Sequence, residues 1–180
     1  MTNRKMIPPE EFAANLFDLF HRKWFLLTSG CFGTRQFNTM TVSWGFLGEM
    51  WMRPTAIAVV RPQRYTLEFM DRYDSFTLCA FGESFREALK LCGAKSGREL
   101  NKVEAAGLTA IPSESVSSPG FQEAELILEC RKVYRGEFRK ECFLDKMIPQ
   151  EFYPGKDFHR IFVGEITQIS GTGAYRRNAE

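Results

Sequence analysis

Two short stretches carry the residues best suited to holding an anion. In RPQRYTLEF, Arg61 and Arg64 stand just upstream of Thr66, and Thr66 is placed to cap a helix over LEFMDRY. A helix N-terminus offers unpaired N–H groups and a partial positive charge, and a guanidinium can grip phosphate oxygens in pairs. In GAKSGRELNK, Ser96 and Gly97 precede a second expected helix start, with Lys95, Arg98 and Lys102 close by. Two such starts could converge on one phosphate. The plainer alternative is a capped helix with solvated arginines in the first stretch and a helix–helix turn in the second.

The strand-like NTMTVSW poses a different question, because it sets amides and hydroxyls beside an indole. Alternation in a strand sends Asn38, Met40, Val42 and Trp44 to one face and Thr39, Thr41 and Ser43 to the other. A flat heteroaromatic ring needs a line of donors and acceptors at its edge and apolar contact on its faces, and such a strand offers both. Against this stand the bland readings, a core indole and ordinary strand propensity for Thr and Ser. His159, in DFHRIFVGEI, opens a further strand. A lone histidine is commonly structural; a functional one would sit at a barrel mouth beside a redox ring, as a hydrogen-bond donor or proton relay.

Other chemistries are poorly served. The chain holds two histidines, His21 and His159, outside HxxxH or HExxH spacing, so no metal site is expected. Five cysteines without CxxC read as reduced thiols. GxSxG, GxGxxG and GxxxxGK[ST] are all absent, so a nucleotide would have to be bound some other way. With 24 basic and 22 acidic residues interspersed along the chain, no nucleic-acid partner is expected. The N-terminal MTNRKMIPPEEF lacks the apolar core of a signal peptide, and no apolar run approaches the roughly 18 residues of a membrane span. The expectation is a cytoplasmic protein without a membrane partner.

These residues need a frame. The 180 residues suit one domain, residues 1–180, without linker or repeat. KWFLLTSG and NTMTVSWG read as an antiparallel pair, GFLGEM as a turn, and TAIAVVR, SFTLCAF, ELILECRKVYRGEF and DFHRIFVGEITQIS as strands. Ser84 and Glu87 form a capping box before FREALKLC, which Gly93 is placed to stop; RELNKVEAA ends at Gly107. IPSESVSSPG reads as a loop, residues 141–157 as irregular or briefly helical, and GTGAYRRNAE as frayed. About six or seven strands with two or three inserted helices imply an α+β protein on a closed or split antiparallel barrel; a doubly wound sheet fits poorly.

Taken in order, NTMTVSWG, VVRPQRYT, CGAKSGRELNK, AELILECRKVY and DFHRIFVGEI resemble the flavin reductase-like, or flavoredoxin-type, branch of the FMN-binding split-barrel proteins. The resemblance implies a split Greek-key barrel, a homodimer and one non-covalent FMN per subunit near the dimer interface. Carried onto this chain, it implies Asn38, Thr39, Met40, Thr41, Ser43 and Trp44 at the ring, and Arg61, Arg64, Tyr65 and Thr66 at the phosphate. Ser96, Gly97 and Lys102 would complete the cradle, and His159 would contact the nicotinamide or the flavin edge. The implied activity is NAD(P)H-dependent flavin reduction, with hydride passing from nicotinamide to flavin N5 and reduced flavin serving a small-molecule redox partner or a flavin-dependent enzyme. Two alternatives stay open: a flavoredoxin-like electron carrier that does not oxidise NAD(P)H itself, and a binding module without turnover.

Overall fold

The computed structural model describes residues 2–177. In chain order the elements are β1 (Lys5–Met6), α1 (Leu16–Asp18), β2 (Phe25–Cys31), β3 (Gln36–Val42), β4 (Gly45–Met50), β5 (Arg53–Val60), α2 (Thr66–Arg72), β6 (Ser75–Ala80) and α3 (Arg86–Ala94). There follow α4 (Lys102–Ala105), β7 (Ala110–Ile111), β8 (Gly120–Phe121), β9 (Leu126–Glu137), α5 (Met147–Phe152) and β10 (Arg160–Gly171). Eight strands form one sheet in the order β3-β2-β6-β9-β10-β5-β4, with β1 on β10, and all these pairings are antiparallel.

That order dictates the shape. β3 and β4 lie at opposite edges of the sheet, yet only Ser43 and Trp44 separate them in sequence. From Val42 to Gly45 is three Cα steps of about 3.8 Å, so the two edges approach within about 11 Å at that end. The sheet must therefore curl almost shut, and because β3 and β4 do not pair it stays split. This is the split antiparallel barrel of an α+β protein.

Side-chain alternation fills the barrel and covers it. Phe25, Leu27, Met40, Val42, Ala56, Ala58, Phe76, Leu78, Leu128 and Phe162 point inward to one core. Their neighbours Leu26, Cys79 and Ile127 face a second core built with Leu89 and Cys92 of α3, Leu108, Phe121 and Ala124. β2 and β6 are thus buried on both faces, which is why FLL is an unbroken apolar run and why the two hydroxyls of SFTLCA, on Ser75 and Thr77, are buried in hydrogen bonds.

Several local expectations are corrected. GFLGEM is strand β4, and the turn falls on Trp51 and Met52, both at positive φ and exposed. Ser84 caps nothing: α3 starts after Phe85, without a side-chain cap. Gly93 does not stop α3 but lies within it, where a Cβ would come 3.2 Å from Thr41 Cβ; it lets the helix approach β3. Gly107, at φ 65°, does follow α4 in the left-handed conformation. The expected helix over RELNKVEAA shrinks to Lys102–Ala105, capped by Asn101, whose side chain accepts from the Glu104 N–H. The C-terminal stretch is not frayed as far as it is described: Tyr175 is buried and Arg177 N–H donates to Glu11 O, while residues 178–180 lie outside the described residues. No helix among the described residues is long and apolar enough to cross a membrane.

Candidate active site at the split of the barrel

The link Ser43–Trp44 opens into a cavity of about 250 Å³ lined by Met40, Thr41, Val42, Ser43, Trp44, Val59, Arg61, Arg64 and His159. Each arrives for a structural reason. β3 is an edge strand, so one side of its backbone carries N–H and C=O groups that no neighbouring strand takes. Trp44 lies past the strand end at 43% exposure, with its ring 5.2 Å from that of His159 and 5.6 Å from that of Phe152. Arg61 follows β5 directly, and His159 directly precedes β10, the strand that pairs with β5.

The two arginines are not equivalent. Arg61 is committed to the fold: its Nη1 meets Asp157 Oδ2 at 2.9 Å, its Nη2 donates to Phe152 O at 2.9 Å, and its guanidinium lies 5.5 Å from the Tyr153 ring centre. Two of its five N–H donors are thereby spent on the segment before β10, while Arg61 still lines the cavity. Arg64 is exposed, donates to Gly93 O at 2.8 Å, and has no carboxylate partner among the described residues. It is the cation left for an external anion.

His159 is 7% exposed, and its Nδ1 lies 2.8 Å from the Tyr153 hydroxyl. Burial, reinforced by Arg61, pushes its pKa down to about 4, so the imidazole is neutral at pH 7.

The remaining expected residues divide differently. Thr39 and Thr41 do not face a ligand with their hydroxyls: Thr39 Oγ1 donates to Leu27 O and meets Thr28 Oγ1 at 2.9 Å, and Thr41 Oγ1 donates to Leu89 O of α3. Of the strand's outer hydroxyls only Ser43 is exposed. Thr66 is the first residue of α2 rather than its cap, and its buried Oγ1 accepts from Asn38 Nδ2 at 2.8 Å. Ser96 and Gly97 lie in a turn rather than at a helix start, with Ser96 Oγ accepting from Arg98 N–H. A Cβ on Gly97 would fall 2.1 Å from Asn38 Oδ1, so this turn packs directly on the side chain that bonds β3 to α2. β3, the start of α2 and this turn thus meet at Asn38, and the expected second helix start is a turn.

Asn38, Thr39, Tyr65, Gly97 and Lys102 line a second cavity of about 750 Å³, with Arg35 and Arg72 on its wall. Lys102 is 5% exposed and donates to Cys92 O at 3.0 Å; burial lowers its pKa. Arg98 pairs with Glu68 and stacks over the Tyr65 ring at 4.5 Å, which occupies it.

Sequence reasoning missed Tyr153, Phe152 and Asp157, all in the segment read as irregular or briefly helical, whose short helix is α5. The signal was there in the aromatic spacing of EFYPGKDFH, where Phe152, Tyr153 and Phe158 bracket a single turn. Phe143, Tyr153 and Phe158 stack as a cluster behind His159, with the Tyr153 and Phe158 rings 4.9 Å apart.

Comparison with known proteins agrees with this geometry. Among solved structures the chain is similar to a flavoredoxin from Methanosarcina acetivorans (20% identity, TM-score 0.66, covering 93% of this chain and 72% of that one). It is also similar to an FMN-binding domain of a flavin reductases-like enzyme from Shewanella baltica OS155 (14% identity, TM-score 0.66, 94% and 78%). A third is nitrilotriacetate monooxygenase component B from Bacillus cereus (18% identity, TM-score 0.64, 93% and 81%). At these identities the likeness establishes the fold. No curated protein matches the chain. Residues 17–178 match the model of the flavin reductase like domain, and the chain belongs to that family.

Proposed function

We propose that this protein binds FMN non-covalently at the split of its barrel and acts as an NAD(P)H-dependent flavin reductase. The observation that carries the reading is the convergence, on one cavity, of an unpaired strand edge, the half-exposed Trp44, the neutral His159 and Arg64, which has no carboxylate partner among the described residues. This donor set suits a flavin. The β3 edge at Met40–Ser43 supplies backbone groups for a heteroaromatic rim, Trp44 an apolar face, and Arg64 a guanidinium for a phosphate. Asn38, Thr66 and Gly97 act one layer behind, holding β3 and α2 in place. Family membership and the FMN named for the Shewanella baltica relative support the cofactor.

When bound, the flavin supplies two-electron chemistry, accepting hydride from a reduced nicotinamide and passing electrons on. The chain's own residues bind and orient. The Met40–Ser43 backbone would orient the ring at the split and Arg64 would hold the phosphate, while His159, neutral at pH 7, offers hydrogen bonding without a competing charge. Reduced flavin would then serve a small-molecule acceptor or a flavin-dependent enzyme.

A homodimer belongs to the same reading. Beside Trp44 lies an apolar hollow whose rim exposes Phe17 (88%) and Phe46 (69%), an uncovered surface continuous with the site through Ser43, Trp44 and Val59. A second copy seated there would cover this apolar surface and close the mouth of the flavin cavity.

Titration of the purified protein with FMN tests the cofactor: saturable quenching of flavin fluorescence is expected, and no uptake at any concentration would refute it. The likeness to flavoredoxin motivates a second reading, a carrier fed by a protein partner. Anaerobic mixing with NADH or NADPH separates them, since rapid bleaching of the flavin band supports the reductase and indifference to both supports the carrier.

A further inference from the structure

His159 is held from behind by one group. Its Nδ1 lies 2.8 Å from the Tyr153 hydroxyl, and this is the only hydrogen bond of either atom among the described residues. Both side chains are buried. Tyr153 is itself fixed: it follows α5 directly, its N–H bonds Pro149 O, and its ring is packed by Phe143 and Phe158 with the Arg61 guanidinium over it. Arg61 anchors the same segment at two further points, Phe152 O and Asp157.

The protons can be placed by elimination. A neutral imidazole carries one N–H, on Nδ1 or Nε2. If Nδ1 carried it, the Tyr153 hydroxyl would accept, and its own hydrogen would be left without an acceptor in a buried setting, at a cost of about 1–3 kcal/mol. If Tyr153 donates, both groups are satisfied and the histidine proton resides on Nε2. Among the described residues no fully buried side-chain nitrogen or oxygen lacks a partner, and Nε2 bonds to no protein atom, so Nε2 is open to the cavity that His159 lines.

We propose that Tyr153 is a positioning residue: its hydroxyl donates to Nδ1, locks His159 in the Nε2–H tautomer, and so presents one neutral N–H donor to an acceptor atom of a ring lodged beside Trp44. The Tyr153–His159 pairing concerns the protein alone, whereas the identity of that ring rests on the flavin reading. The chemical consequence is selectivity for an acceptor. A ring nitrogen or carbonyl oxygen at this point is bound, and a protonated donor is repelled. The neighbouring charges are Arg61 and Arg64 on the β5 side and Asp157 on the segment before His159; Asp157, the one acceptor among them, is paired to Arg61 and makes no hydrogen bond to His159.

The test uses nitrogen-15 NMR on the ligand-free protein in a His21→Gln background, which leaves His159 as the sole histidine. Long-range proton–nitrogen correlation at pH 7 reports which ring nitrogen bears hydrogen. The expected result is a protonated Nε2 and a bare Nδ1; a protonated Nδ1 overturns the proposal without any further variant. Tyr153→Phe, checked for folding by its amide spectrum, is expected to turn the single tautomer into a mixture and to weaken FMN binding by up to about tenfold, the size of one neutral hydrogen bond. An unchanged tautomer in that variant also overturns the proposal. The two readings fail separately: no FMN uptake with the Nε2–H tautomer intact sinks the flavin assignment and leaves the Tyr153 role standing.

Discussion

Replacing Gly97 with alanine should damage the protein through one atom, and removing that atom should cure the damage. The new Cβ would lie 2.1 Å from Asn38 Oδ1 and 2.9 Å from its Cγ, closer than van der Waals contact permits, so Asn38 must swing away. Doing so breaks its 2.8 Å donation to Thr66 Oγ1, a buried bond whose loss leaves an amide and a hydroxyl unpaired. That costs about 1–3 kcal/mol. Gly97 lacks a positive φ, so alanine adopts its backbone without strain and regains up to about 1 kcal/mol from the stiffer unfolded chain. The net loss is at most about 3 kcal/mol, or up to roughly 12 °C in Tm for a chain of this size. In an Asn38→Ala background the clashing oxygen is gone, and only Tyr65 Cδ1 at 3.2 Å remains near the new methyl. There Gly97→Ala should be neutral or stabilising by up to about 1 kcal/mol, giving a coupling near 1–3 kcal/mol in a double-mutant cycle read by urea unfolding. If Gly97→Ala costs the same in both backgrounds, the turn does not rest on Asn38, and the explanation for grouping β3, α2 and this turn fails.

Three further outcomes follow from the site. Arg64→Ala should weaken FMN binding about 10- to 100-fold in a fluorescence titration with little change in urea midpoint, whereas Arg61→Ala should lower the midpoint and expose residues 147–158 to proteolysis, since it releases Asp157 and Phe152. The His159 pKa of about 4 is depressed from 6.5, so between those values the unfolded chain binds the extra proton and the folded one does not. Its contribution is full above pH 6.5 and fades as pH falls to about 4, by at most about 3 kcal/mol, and unfolding curves of His159→Gln should lack that part of the acid slope. Phe46→Glu, on the exposed rim of the apolar hollow, should convert the proposed dimer to monomer in sedimentation velocity without unfolding the barrel.

Much of the frame could be read from the chain because it depends on period and composition. The pairing of β2 with β3, the long β9 and β10, and the two-sided burial of β6 all follow from alternation or its absence. What failed was local end chemistry. Ser84, Gly93 and Thr66 each match a capping pattern, but a pattern of three or four residues cannot tell whether a hydroxyl serves its own helix or a neighbour. Thr66 is taken by Asn38, 28 residues away in sequence, and Gly93 is required by Thr41 across a helix–strand contact. The same limit hid Tyr153 and Asp157, whose partners His159 and Arg61 identify them only once the chain is folded.

The difference between Arg61 and Arg64 shows where sequence reasoning about function must stop. Both are guanidiniums in one hexapeptide at the end of β5, and either would serve a phosphate on chemical grounds alone. Arg61 is the first residue past the strand, next to the point where β10 begins on the neighbouring strand, so the segment entering β10 is forced across it and Asp157 claims it. Arg64, three residues later, has left the sheet and meets only a carbonyl of α3. The topology that splits the barrel at Ser43–Trp44 thereby assigns the roles: one cation pins the segment that carries Tyr153 and His159, and the other remains available at the mouth of the cavity. The Arg61–Asp157 ion pair is partly exposed and by itself worth little, so its effect lies in placing that segment rather than in stability.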